Sequence, residues 1–281
     1  MNARDIWVIA VFELARHLRS RHMIAAGVLL IAFCGYGSYQ LAEYADQLAA
    51  VGSEMGPVLG IIAGMVEAVT ELPVVAITGL LQSRPPVLVA LFALVLAFMP
   101  MLTSILAYNQ TATDIETRHI RYLLFRSDRV SIYLGKSLGA WMLVTGCIGL
   151  VLLLFGVFLG IRSSALEGIG GVVYLVGIWL TAAFYALPLV ALLGLTSSVA
   201  GRARRSLSLV ILLWFGIGVT SSLLGLVDER FELLAYLFPT TGRFELLIDN
   251  FGDKLGIIVY LVAYTAIAGA LGLWRFRRRD L

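Results

Sequence analysis

Long apolar runs separated by short charged stretches make up most of this chain. Six of them, at about 23–42, 86–108, 137–161, 171–195, 206–227 and 255–274, come near the roughly 20 residues a helix needs to cross the hydrocarbon of a bilayer. Backbone polar groups in lipid must be satisfied within their own segment, so the pattern predicts an all-α membrane protein with six transmembrane helices. Ahead of the first run, Ile6, Trp7, Ala10, Val11, Leu14 and Leu18 recur at helical spacing, with Arg4, Glu13, Arg16, His17 and Arg19 on the other side. Residues 1–22 are therefore expected to form an amphipathic helix in the membrane interface, basic face toward anionic headgroups. A signal peptide is the rival reading, but the basic stretch is long and periodic. Phe33, ahead of Cys34, also stands where a lipoprotein cleavage site needs a small residue.

The stretch 56–82 is apolar enough to suggest a seventh span. Counting it would bring Glu67, Glu71 and Pro73 near mid-membrane at a cost of several kcal/mol. An external or partly re-entrant helical segment over 43–85 is cheaper. Gly56, Gly60 and Gly64 fall on one helical face and permit close packing, as do Gly135 and Gly139 at the start of the third span. Glu67 and Glu71 share a face that is either solvated or open to a cationic substrate. The loop 228–254 carries six acids against three bases, and Leu237-Phe238-Pro239-Thr240 breaks any helix there. With 43–85 it would form an acidic external cap bearing short extracytoplasmic helices and open to an extracytoplasmic partner.

Composition agrees with the pattern. Apolar residues make up 60% of 281 and charged ones only 14%, whereas a soluble domain carries about a quarter charged residues. The net charge of +3 matters less than its distribution and gives no ground for a nucleic-acid partner. Placing 1–22, 109–136, 196–205 and 275–281 on one side collects 16 of the 21 Lys and Arg residues there, so both termini are expected in the cytoplasm of a bacterial inner-membrane protein. Those clusters serve topology first, with membrane lipid or a partner as further contacts. Cys34 and Cys147 fall inside apolar runs and read as small hydrophobes.

Signs of covalent chemistry are missing. Gly135-Lys136-Ser137 has the ending of a phosphate-binding loop, but Val130 occupies the place of its first glycine. His17, His22 and His119 form no H-E-x-x-H pair, and there is no G-x-S-x-G elbow. No catalytic, metal-binding or cofactor-binding residues are proposed, and the chain is not expected to be an enzyme. The spans hold almost no ionisable residues, which argues against an ion-coupled carrier.

One segment does not fit a simple tether. Residues 112–136 combine Arg118, Arg121, Arg126, Arg129 and Lys136 with the apolar knot Tyr122, Leu123, Leu124 and Phe125, and contain no proline. If 114–127 is helical, Ile120, Leu123, Leu124 and Ser127 lie along one face beside Glu116, Arg118 and Arg121. Such a helix could enter a cleft on another protein.

The layout resembles the ABC-2 type permeases, the membrane subunits of bacterial ABC exporters, and in length the small six-span members such as the nitrous-oxide-reductase maturation permease. That family carries E-x-x-x-G-T-L-x-x-L-L-x-x-P-x-S-R, then G-K, after its second span. Here Glu116 stands for the acid, Leu123-Leu124 for the paired leucines, Arg129 for the arginine and Gly135-Lys136 for the closing pair. His119-Ile120 or Ile120-Arg121 stands where Gly-Thr is usual, and Ser127-Asp128 replaces Pro-x-Ser. The terminal R-F-R-R-R-D-L resembles the family's F-x-R-R-D-L ending.

The resemblance implies a single transmembrane domain over 1–281 that works as a homodimer. It implies docking on cytosolic ABC ATPase subunits, which hold the ATP and magnesium, through Glu116, Arg118, Arg121, Tyr122, Leu123, Leu124, Phe125, Arg126 and Arg129. The docking loop 112–136 would be a coupling helix, and export of an amphipathic, lipidic or peptide cargo would follow. A secondary carrier or membrane anchor, and a lipid-modifying membrane enzyme, are the alternatives.

Overall fold

The computed structural model describes residues 2–19, 36, 79–80, 84, 86–162, 169–225, 236–247 and 251–279. The expected first span 23–42, apart from Tyr36, lies outside the described residues. So does nearly all of 43–85, with Gly56, Gly60 and Gly64.

Eight α-helices and a 3-10 turn account for the described chain, and no strand occurs among these residues. The helices are α1 (Ala3–Leu18), α2 (Pro86–Ala107), α3 (Ala112–Glu116), α4 (Ile120–Leu124), α5 (Arg129–Arg162), α6 (Ile169–Ala200), α7 (Ala203–Gly225) and α8 (Phe251–Arg277), with the 3-10 turn at Arg243–Leu247. Local chemistry explains several boundaries. Asn2 caps α1 by accepting from the Arg4 N–H at 3.2 Å, and Asp5 and Arg16 place charges of the favourable sign in its first and last turns. Proline opens α2. Asp128 opens α5 by accepting from the Ser131 hydroxyl at 2.5 Å. Gly201, at φ +62, ends α6 in the left-handed region that glycine enters without strain.

Four helical stretches, Val87–Glu116, Arg129–Ile161, Gly170–Ala200 and Lys254–Arg277, are long and apolar enough to cross a membrane, giving the chain the character of a multi-pass membrane protein. They coincide with the second, third, fourth and sixth expected spans, and α7 covers most of the fifth. At about 1.5 Å per residue α5 is about 50 Å long, well beyond a hydrocarbon core of about 30 Å, so it must project past the bilayer.

The core gathers on α6, which packs against α2, α5, α7 and α8. Its Ile178, Tyr185, Ala186, Leu189 and Leu193 are buried with Phe92, Leu96 and Met99 of α2 and Val144 and Ile148 of α5. Outward positions stay apolar: Phe98 of α2, Leu153 of α5, Leu180 of α6 and Val259 of α8 are all more than half exposed. An apolar exterior over a packed interior is what a lipid solvent permits.

One placement differs from the expected one. The helix α1 does not present all its polar side chains outward: Glu13 is buried against α5 while Trp7, Val8 and Phe12 are exposed. The segment 236–247 lies beside α8, whose tyrosines bond its carbonyls. Tyr260 Oη donates to the Phe238 carbonyl at 2.6 Å, and Tyr264 Oη donates to the Leu237 carbonyl at 3.0 Å. Tyr264 lies about 20 Å from the start of α8, so the segment enters the bundle about half-way along that helix. Pro239 interrupts helix here, and tyrosine hydroxyls bond the carbonyls that are left free.

Candidate functional site

The candidate site is the end of the bundle where α1, the 108–129 connection, the start of α7 and the C-terminus meet. It is built on a close helix pair. A Cβ at Gly135 would lie 2.9 Å from the Ile6 carbonyl, and one at Gly139 would lie 2.9 Å from the Ala10 carbonyl. The two glycines of α5 therefore seat the backbone of α1, which brings Glu13 down onto Lys136.

Lys136 donates to both Glu13 and Asp114, and all three side chains are almost wholly buried. Arg16 completes the cluster, with Nη1 3.0 Å from Asp114 Oδ1 and Nε 2.8 Å from Glu13 Oε2. Two carboxylates and two cations leave the group formally neutral, the condition under which buried charge is tolerable. This cluster ties the N-terminal helix, the connection after α2 and the start of α5 into one unit.

Polar side chains of α6 and α5 hold the same connection from the other side. Ser197 Oγ accepts from the Thr111 and Ala112 N–H groups, both at 2.9 Å, and so takes up free donors at the start of α3. Gln110 Nε2 donates to the Val190 carbonyl at 2.9 Å, and Ser137 Oγ donates to Gln110 Oε1 at 3.2 Å. Asn109 Oδ1 accepts from the Thr113 N–H at 3.0 Å. The connection leaves the bundle from a fixed base.

Beyond that base the expected continuous helix is broken. Arg118 sits at φ +58, a left-handed conformation for a residue with a Cβ, and it separates α3 from α4. The break turns α4 so that Ile120 is buried with Ile132, Tyr133 and Phe276, while Leu123 and Leu124 pack partly against them. Tyr122 and Phe125 are left at the tip, 71% and 87% exposed, flanked by the exposed Arg121 and Arg126.

The nine residues expected to dock a partner thus divide. Arg118, Arg121, Tyr122, Phe125 and Arg126 face outward, whereas Leu123 and Leu124 are partly buried against their own chain's core. Glu116 Oε2 accepts from the Ala203 N–H at 3.1 Å, placing an anion at the start of α7. Arg129 Nη1 donates to the Arg277 and Arg279 carbonyls, at 2.5 Å and 2.9 Å, and caps the end of α8. In turn Arg279 donates to the Ser198 carbonyl near the end of α6 at 2.7 Å. Gly135 and Gly139 seat α1, while the expected packing glycines 56, 60 and 64 lie outside the described residues.

Sequence reasoning missed the cluster of Glu13, Arg16, Asp114 and Lys136. Its signal was present as Lys136 inside a helix that is otherwise apolar beyond it, but the partners lie 22 and 123 residues away. Among the described residues no group of three or more His, Cys, Asp or Glu side chains is arranged to hold a metal ion.

A protein-family profile for a protein of unknown function, DUF2705, matches residues 81–281. The chain belongs to the DUF2705 family. No curated protein matches it. The DUF2705 match takes in α2 to α8, and with them Asp114, Lys136, the Arg118 break and the exposed tip. Glu13 and Arg16 on α1 lie ahead of the matched stretch.

Proposed function

We propose that this DUF2705 chain is the permease subunit of an ABC exporter, driven by ATP hydrolysis on separate cytosolic subunits. The observation that carries the reading is the exposed Tyr122–Phe125 tip, flanked by Arg121 and Arg126 and mounted on a buried, charge-locked base. A tether would not need a rigid base, and a soluble protein would not leave such a tip uncovered. An aromatic anchor with arginines at its rim is what fills a groove on a partner, where a single buried anchor can carry about 2 kcal/mol or more.

The left-handed residue supports the same reading in a different register. The spacing E-x-x-x-G-T-L-x-x-L-L is met from Asp114, with Arg118 where the glycine is usual, Ile120 at the single leucine and Leu123-Leu124 at the pair. Glycine belongs where φ is positive, and among the described residues of this connection that place is Arg118. In that register Asp114, buried against Lys136, takes the place of the acid that Glu116 holds in the other.

On this reading the basic end is cytoplasmic, in keeping with the distribution of Lys and Arg. Two chains would enclose a pathway, and closure of the ATPases would push α3 and α4 against α1 and α5. Most of α8 is left uncovered by its own chain, which leaves a face for the second chain or for lipid. A proton-coupled carrier is the second reading, favoured by the buried Lys136 between two carboxylates. Co-purification from the native membrane in mild detergent, with mass spectrometry and an ATPase assay, separates them. An ABC-sized ATPase that elutes with the chain and hydrolyses ATP supports the permease; elution of the chain alone, with proton-driven uptake in vesicles, supports the carrier.

A further inference from the structure

The basic end of α8 carries two cations that the rest of the chain leaves without an anion. Ala270, Leu273, Trp274, Arg277 and Arg278 follow the spacing of a single helix face, and together they line an open cavity of about 460 Å³. Trp274, Arg277 and Arg278 are exposed, and the Arg278 guanidinium carbon stands 4.5 Å over the Trp274 ring. Among the described residues neither Arg277 nor Arg278 forms an ion pair.

Neighbouring charges at this end have partners. Arg279 donates to the Ser198 carbonyl, and Arg129 donates to the carbonyls of Arg277 and Arg279. Four acids are engaged as well: Glu13 and Asp114 with Lys136, Glu116 with the N–H of Ala203, and Asp128 with Ser131. The bond from Arg129 has a further effect. Carbonyls at the end of a helix carry partial negative charge and repel anions, and here a guanidinium covers two of them. What remains is positive, since residues 275–281, R-F-R-R-R-D-L, hold four arginines against one aspartate.

The apolar part of the same helix specifies the rest of the ligand. Toward the middle of the span Ala270, Leu271 and Ile267 are exposed, and Val262 and Val259 are exposed further along. Trp274 stands between the charged and the apolar parts, where an aromatic ring suits a membrane–water boundary. A ligand that meets both parts has an anionic head and a hydrocarbon tail. A second copy of this chain fits the place less well. A two-fold contact centred here would set Arg277 and Arg278 against their own copies, and like charges brought together are costly.

We propose that the end of α8 binds an acidic phospholipid of the surrounding membrane, with its phosphate held by Arg277 and Arg278 and an acyl chain along Leu273 and Ala270. Trp274 keeps the Arg278 guanidinium beside the cavity through the cation–π contact. The proposal does not depend on the docking of an ATPase.

The test is native mass spectrometry of the full chain in mild detergent, with dioleoyl-phosphatidylglycerol, the zwitterionic dioleoyl-phosphatidylcholine and inorganic phosphate as probes. Phosphatidylglycerol is expected to bind about tenfold more tightly than phosphatidylcholine. Replacing both arginines, Arg277→Gln with Arg278→Gln, should weaken phosphatidylglycerol by about tenfold or more and leave phosphatidylcholine unchanged. Trp274→Leu keeps both charges but releases Arg278 and should weaken phosphatidylglycerol severalfold; it decides the matter if the double variant fails to fold. Arg121→Gln with Arg126→Gln removes the same charge from the exposed tip and should have little effect. Millimolar inorganic phosphate should not displace the lipid, because it makes no use of the apolar face. Equal binding of the two lipids, an equal loss in the Arg121 and Arg126 variant, full binding by the folded Arg277 and Arg278 variant, or displacement by inorganic phosphate would overturn the proposal.

Discussion

Lys136 on α5 bonds to the carboxylate of Glu13 on α1 across 123 residues of sequence, and nearly all the surface of both side chains is buried. Removing the lysine leaves two buried carboxylates with only the partly exposed Arg16 between them as counter-ion. Lys136→Met is therefore expected to destabilise the chain by about 3–5 kcal/mol. Adding Glu13→Gln and Asp114→Asn removes the stranded charges and should recover much of the loss. Thermal unfolding in detergent of the single and triple variants checks this, and a triple variant no better than Lys136→Met would refute it.

The glycine seat gives a second expectation. A methyl at 139 would approach the Ala10 carbonyl to 2.9 Å, and backbone cannot swing aside as a flexible side chain can. Gly139→Ala should cost about 1–3 kcal/mol. Gly146, whose added Cβ would meet nothing within 4 Å, should accept alanine without loss. Unfolding midpoints of the two variants provide the comparison.

Arg118 provides a substitution expected to stabilise. Its left-handed backbone costs about 1–2 kcal/mol that glycine avoids. Arg118→Gly should raise stability by part of that amount, since glycine also gains freedom in the unfolded chain. Arg118→Val should lower it. Denaturation of the purified variants shows the sign, and a loss of stability in Arg118→Gly would contradict the assignment.

How much of this was legible beforehand follows from the range of the interactions. Apolar runs fix membrane helices locally, so α2, α5, α6 and α8 lie where hydropathy placed them. Hydropathy cannot weigh a tyrosine hydroxyl on α8 against a carbonyl at 237 or 238, so the packing of 236–247 along α8 was not visible. The polar side of α1 was legible as a periodicity, but only its contact with Gly135 and Gly139 shows that Glu13 faces the protein. Within 112–136 the charges marked the right segment. The break at Arg118 has no glycine to mark it and is pointed to only by spacing counted from Asp114 instead of Glu116; without it Leu123 and Leu124 would share an outward face.

His17, next to Arg16 on α1, gives a pH dependence. Burial holds its pKa below the usual 6.5, helped by Arg16 and Lys136 and opposed by Glu13 and Asp114. The folded chain therefore binds this proton less readily than the unfolded chain. The associated stability is complete above pH 6.5 and is lost as the pH falls below 6.5 through the folded-state value. Melting midpoints should drop between pH 7.5 and 5, and His17→Gln should flatten that slope. An unchanged slope in the variant would refute the assignment.

The most direct test of the docking reading places a photo-crosslinking amino acid at Phe125, the most exposed aromatic side chain of the tip. In native membranes, illumination should join the chain to a soluble ATP-hydrolysing subunit, with a yield that changes when a non-hydrolysable ATP analogue is added. The same probe at the exposed Leu153 of α5 should give no such product. Crosslinks to lipid alone at position 125, or identical products at 125 and 153, would contradict the claim that this tip receives work from an ATPase.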